Sequence, residues 1–193
     1  MFIQTEQTPN PATLKFLPGT SVLNGADTLD FPNAEAAAGV SPLAEALFEI
    51  NGVAAIYLGE DFISVSKDDE QEWYVLKPSI LGVIMQHMTA GRPILADGAN
   101  TATAAAGTSD EADYDPEDEA VVGQIRELLD TRVRPAVAQD GGDIVFHGFS
   151  KGVVYLTMRG ACAGCPSSTA TLKMGIENML RHYIPEVVEV RAA

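Results

Sequence analysis

Gly160-Ala161-Cys162-Ala163-Gly164-Cys165-Pro166 holds both cysteines of a 193-residue chain. A C-x-x-C pair at the start of a helix is a metal or redox device far more often than a packing accident. Two thiolates are too few to fill a four-coordinate metal site or to hold an iron–sulfur cluster. If the pair binds metal, a second chain supplies the missing ligands. Pro166 suits the first helical position, which puts Cys165 at the cap. The free N–H groups and dipole at that end favour negative charge, so both sulfurs are expected to have lowered pKa values. Gly160 and Gly164 let the backbone turn tightly, and Ala161, Ala163 and Gly164 are small enough to leave the sulfurs open to a bulky partner.

Three chemistries fit the pair. A thioredoxin-type dithiol also starts a helix, but that fold needs several further elements, and only 28 residues follow Cys165. A zinc ion shared by two chains satisfies the ligand count. An iron–sulfur cluster bridging two chains satisfies it equally, and spacing does not separate the last two.

Outward from the loop, Asp143 to Phe149 and Val153 to Arg159 alternate as a hairpin around Ser150-Lys151-Gly152. After Pro166, Leu172, Ile176, Met179, Leu180 and Tyr183 recur at helical spacing, and Glu186 to Val190 reads as a final strand. Upstream, Asp115-Pro116 opens a helix with the stripe Val121, Ile125, Leu128 and Leu129, running out between Pro135 and Gln139. The N-terminal part reads as two extended stretches, 2–8 and 13–17, then a helix capped by Ser41-Pro42 and stopped by Asn51-Gly52. A hairpin over 53–58 and 62–66 follows, then a helix with Leu81, Ile84, Met85 and Met88 on one face.

Charge is uneven along the chain. Residues 1–100 carry 13 acids against 4 bases, residues 101–119 carry 7 acids and no base, and residues 120–193 carry 7 acids against 8 bases. A chain of net charge −15 repels phosphate backbones, so no nucleic-acid partner is expected. No apolar run approaches the roughly 18 residues of a membrane span. The Ala/Thr-rich and acidic stretch has almost no large apolar residue and cannot offset the entropy of ordering. The expected fold class is therefore α/β of the α+β type. Two small domains, 1–91 and 116–193, are joined by a flexible acidic linker over 92–115, the second domain holding two helices on a three-stranded sheet. Met1–Glu6 lacks the pattern of a secretory signal or a transit peptide. The expected location is the cytoplasm, or the mitochondrial matrix where a transit peptide has been removed.

Other candidates read as ordinary. Asp140 and Asp143 around Gly141-Gly142 shape a turn. His87, His147 and His182 are scattered with no ligand spacing. Met85, Met88, Met174 and Met179 are expected mostly in cores. Arg159 lies just before the loop, able to steady charge there or simply to end a strand. No catalytic constellation is expected.

A longer string adds to this. Arg134-Pro135, Asp140-Gly141-Gly142-Asp143, Gly152-Val153-Val154, Gly160 to Ser168, Thr171-Leu172-Lys173, Gly175-Ile176-Glu177 and Pro185-Glu186-Val187 together resemble the NifU C-terminal, or Nfu, domain. Thr8 to Pro11, Leu14 to Gly19, Ser41 to Ala44, Asp61 to Ile63 and Leu76 to Leu81 resemble the Nfu N-terminal domain. The resemblance implies a carrier, not an enzyme: a homodimer sharing one [4Fe–4S] cluster, taken from an upstream scaffold and passed to apo iron–sulfur proteins. It implies Cys162 and Cys165 as the ligands. No third cysteine exists, so the three-cysteine assembly domain of full-length NifU proteins is missing, and delivery rather than assembly is expected. A zinc-bridged adaptor or a dithiol redox protein is the alternative.

Overall fold

The computed structural model describes residues 2–98 and 113–193. The chain forms two compact units, and the middle of the expected linker, 99–112, lies outside the described residues.

The first unit is a five-stranded antiparallel sheet in the order β1-β2-β5-β4-β3. Its strands are β1 (Gln4–Gln7), β2 (Thr13–Leu17), β3 (Leu29–Phe31), β4 (Val53–Leu58) and β5 (Ile63–Lys67). Alternation places Leu14, Phe16, Ile56, Leu58, Ile63 and Val65 in one core. The helices α1 (Ala34–Ala37), α2 (Pro42–Phe48) and α3 (Trp73–Thr89) contribute the rest of that core. Ser41 caps α2, its Oγ accepting from the Ala44 N–H at 3.1 Å and donating to the Ile94 carbonyl at 2.7 Å.

Two expectations are corrected here. The buried face of α3 is Leu76, Ile80, Ile84 and His87, with Met85 left 42% exposed. Apolar residues surround this helix, so periodicity did not define its inner stripe, and His87 takes a core position because its Nε2 bonds the Pro93 carbonyl at 2.9 Å. Residues 92–96 belong with the first unit, not with a spacer. The Ala96 N–H donates to the Val40 carbonyl at 2.9 Å, and Ile94 and Leu95 pack on the core.

The second unit is a mixed four-stranded sheet, β6-β7-β8-β9, one strand more than expected. Its strands are β6 (Asp113–Tyr114), β7 (Gly142–Ser150), β8 (Val153–Gly160) and β9 (Glu189–Ala192). The extra strand is short and parallel to β7, pairing Asp113 with Gly148. Only glycine fits there, since a Cβ at Gly148 would stand 2.5 Å from the Asp113 carbonyl oxygen. β8 and β9 are parallel neighbours joined by α6 (Pro166–Tyr183), so the cysteine loop starts the helix of a βαβ crossover. β9 begins later than expected because Pro185 and Val187 lie in a turn in which the Val187 N–H donates to Ile184.

The expected single upstream helix is segmented. A 3-10 turn (Pro116–Asp118) leads into α4 (Glu119–Leu128), a π turn (Leu129–Val133) and α5 (Arg134–Gln139). Pro135 removes a backbone donor, and the wider turn before it absorbs the mismatch. Its inner stripe is Val122, Ile125, Leu129, Val133 and Val137, while Asp115 makes no side-chain capping bond. Among the four methionines, Met88 and Met179 pack against cores, whereas Met85 and Met174 are exposed.

Candidate metal centre

Gly160, at φ +60°, turns the chain out of β8, and Gly164, at φ +80°, turns it into α6. Between them the Ala161 N–H donates to the Gly141 carbonyl and the Ala163 N–H to the Gly160 carbonyl, both at 3.1 Å. Cys165 is the extended N-cap of α6 and Pro166 its first helical residue, as the sequence implies. The Cys165 sulfur makes no capping bond, and lies 3.4 Å from Ser167 Oγ.

The two sulfurs are not equivalent. Cys165 is half-buried, whereas Cys162 is 6% exposed and belongs to the hydrophobic core of the unit. Its sulfur lies against the backbone of Gly142 on β7, where a Cβ would come within 2.7 Å. The expectation of two open, acidified thiols therefore fails for Cys162. Burial pushes its pKa from 9.0 up to about 12, helped by the negative charges of Asp140 and then Asp143. Neither cysteine is in a disulfide.

Other residues not singled out by sequence reasoning shape the loop. Thr169, in the first turn and a half of α6, donates its N–H to the Cys165 carbonyl and its hydroxyl to the Cys162 carbonyl, each at 2.9 Å. Asp143 accepts from the Ile144 N–H at 2.8 Å and lies 3.7 Å from Arg134 Nε. Asp143 thus does more than shape a turn, adding negative charge beside the Cys162 thiol. Arg159 is buried and faces Asp143 in the β7–β8 register. The hairpin spacing could have placed Gly142 near the loop, but a bulge at His147 shifts the register by one. His87 and His182 lie on other elements, and His147 Nε2 is buried with no hydrogen-bond partner among the described residues.

Among the described residues no cluster of three or more His, Cys, Asp or Glu side chains could hold a metal ion. Two soft sulfur donors on one loop suit iron or zinc, and one chain leaves half of a four-ligand site unfilled. No helix among the described residues is long and apolar enough to cross a membrane.

Residues 3–91 match the family described as scaffold protein Nfu/NifU N terminal, and residues 125–191 match the NifU-like domain. The NFU1 iron-sulfur cluster scaffold homolog, mitochondrial, of Drosophila willistoni is 50% identical over 190 residues, 98% of this chain and 63% of that protein. Its Drosophila grimshawi counterpart is 51% identical over 189 residues, 98% of this chain and 60% of that protein. The chain thus spans less than two thirds of these relatives' length. The solution structure of a NifU-like protein from Saccharomyces cerevisiae is 29% identical, with a TM-score of 0.45 over 49% of this chain and 84% of that one. By the two domains it contains, in the order in which they stand, the chain belongs to the Nfu/NifU family.

Proposed function

We propose that this chain is an iron–sulfur cluster carrier: two copies share one [4Fe–4S] cluster through Cys162 and Cys165 and deliver it to apo-proteins. The observation that carries the reading is the half-site, two thiols on one helix-initiating loop with no third ligand grouped near them among the described residues. The NifU-like domain match and the printed names of the relatives support iron–sulfur cargo over other thiolate chemistry. The cluster is cargo rather than a resident cofactor, taken from an upstream scaffold protein.

Release proceeds by thiol exchange. A recipient thiol gives its proton to the departing cysteine sulfur as its own sulfur takes that place on iron, so no electron moves. A chain with only two ligands per copy holds its cargo across an interface that separates once those bonds are exchanged. The first domain is assigned to recipient recognition, and the acidic stretch to tethering. The relatives are mitochondrial by name, which supports the matrix over the cytoplasm as the site of action.

Anaerobic reconstitution of the full chain with iron and sulfide tests the reading. A brown species of twice the chain mass with about four irons is expected. A colourless dimer that takes up zinc alone would replace it with the adaptor reading.

A further inference from the structure

We propose that the Thr169 hydroxyl is a latch on the cysteine loop, holding Cys162 sulfur-inward so that Cys165 engages cargo first and Cys162 follows when the latch opens. The purpose of the latch rests on the carrier reading, but the latch itself is a property of the metal-free chain.

Thr169 holds the backbone of both cysteines, and its two bonds differ in kind. The N–H to the Cys165 carbonyl, at 2.9 Å, is the first rung of α6 and cannot break without fraying the helix. The hydroxyl bond to the Cys162 carbonyl, also 2.9 Å, reaches seven residues back across the loop. Opening it leaves the helix intact, and water satisfies both groups. The segment it loosens is short and has a pivot at each end. Ala161 stays tied beside β7 through its N–H on the Gly141 carbonyl, and the Ala163 N–H bonds the Gly160 carbonyl within the segment, so the turn swings from Ala161 onward. Gly160 and Gly164 both stand at positive φ, the region that glycine enters without strain. Between the pivots, Cys162 is the one side chain larger than a methyl group.

The closed position is well filled. Cys162 sits 6% exposed in the core, over the bare backbone of Gly142. A sulfur in that place cannot reach a metal shared with a second chain. Cys165, half-buried at the helix cap with its sulfur 3.4 Å from Ser167 Oγ, lies outside the swinging segment, so its exposure does not depend on the latch. As each cysteine binds iron, its thiol proton passes to solvent. Thr169 is thus a positioning residue that acts through Cys162.

Residue-resolved alkylation of the metal-free, reduced full chain by iodoacetamide, read by mass spectrometry, tests the latch. In the wild type Cys165 should react at least about tenfold faster than Cys162, as expected for a group exposed only by local opening. Thr169→Val, which keeps the shape and removes the donor, should raise the Cys162 rate about fivefold, the effect of one net hydrogen bond. The Cys165 rate should not move, and Thr169→Ser should restore the wild-type ratio. Low urea should leave the wild-type Cys162 rate flat, because a loop opening exposes little surface.

The latch is overturned if both cysteines react alike in the wild type, if Thr169→Val leaves the ratio unchanged, or if Thr169→Ser fails to restore it. It is equally overturned if the Cys162 rate climbs with urea alongside global unfolding, a measurement that decides the matter even where the valine variant does not fold. A chain that shows the latch yet takes up no iron would sink the carrier reading alone.

Discussion

The Cα of Gly142 forms the wall against which the Cys162 sulfur rests; a Cβ there would stand 2.7 Å from that sulfur and 2.5 Å from the Arg159 carbonyl oxygen. Both conflicts arise from β7 meeting the end of β8, so the absence of a side chain at Gly142 keeps the strand pair closed and the sulfur inside. The loop that presents the thiols is therefore built on the sheet rather than appended to it.

Gly142→Ala should destabilise the second unit by about 2 kcal/mol or more, because one of the clashing atoms is backbone and cannot rotate away. Urea unfolding followed by a signal from the second unit checks this. A change under 0.5 kcal/mol would show that the strands slide apart at little cost.

The raised pKa of Cys162 makes a prediction about alkaline pH. Below pH 9 the folded and unfolded chains both keep this thiol proton, and its stabilising effect is fully present. Between pH 9 and about 12 the unfolded chain ionises first, so stability falls with rising pH. At pH 10 the metal-free second unit should be about 1 kcal/mol less stable than at pH 8. Cys162→Ala should remove that difference. Denaturant midpoints at the two pH values measure it, and an identical slope in the variant would assign the pH dependence to another group.

The hairpin of β7 and β8, the cap of α6 and the cap of α2 were legible in the sequence because each has a local cause. Alternating side chains, Cys165-Pro166 and Ser41-Pro42 need no distant partner to declare themselves. β3 and β6 were not legible, since three and two residues carry no period and exist only through pairing with β4 and β7. The inward turn of Cys162 was hidden for a related reason. The bulge between Phe146 and Gly148 shifts the register by one, and that shift sets Gly142 opposite Gly160. Local pattern singled out the loop that carries the two thiols. Pairing between distant residues decided which sulfur is exposed.

Residues 92–96 complete the first unit, and this predicts where that unit can be cut. A chain ending after residue 91 loses the Ser41–Ile94 and Val40–Ala96 bonds and the cover of Ile94 and Leu95. Its stability should fall by about 2–4 kcal/mol relative to a chain ending after residue 98, given two lost bonds and two uncovered apolar side chains. Thermal unfolding of the two fragments compares them directly. Equal melting temperatures would return 92–96 to the spacer. In the longer chain Ser41→Ala should cost about 1–2 kcal/mol, as the hydroxyl both caps α2 and holds the tail.

Serine in place of each cysteine separates the structural role from the proposed carrier role. Cys165→Ser should change stability by less than about 0.5 kcal/mol, since the side chain is half-buried and a hydroxyl there can reach water. Cys162→Ser puts a hydroxyl into the core beside Gly142 and should cost about 1–2 kcal/mol unless it finds a partner. On the proposed function, either change should abolish the shared cluster and the cluster-dependent dimer, because each copy would bring one sulfur where the proposal requires two. Iron content and mass in solution after anaerobic loading report the second effect, and urea unfolding of the metal-free variants reports the first. A full cluster retained by either variant would mean that a ligand other than these two thiols completes the site.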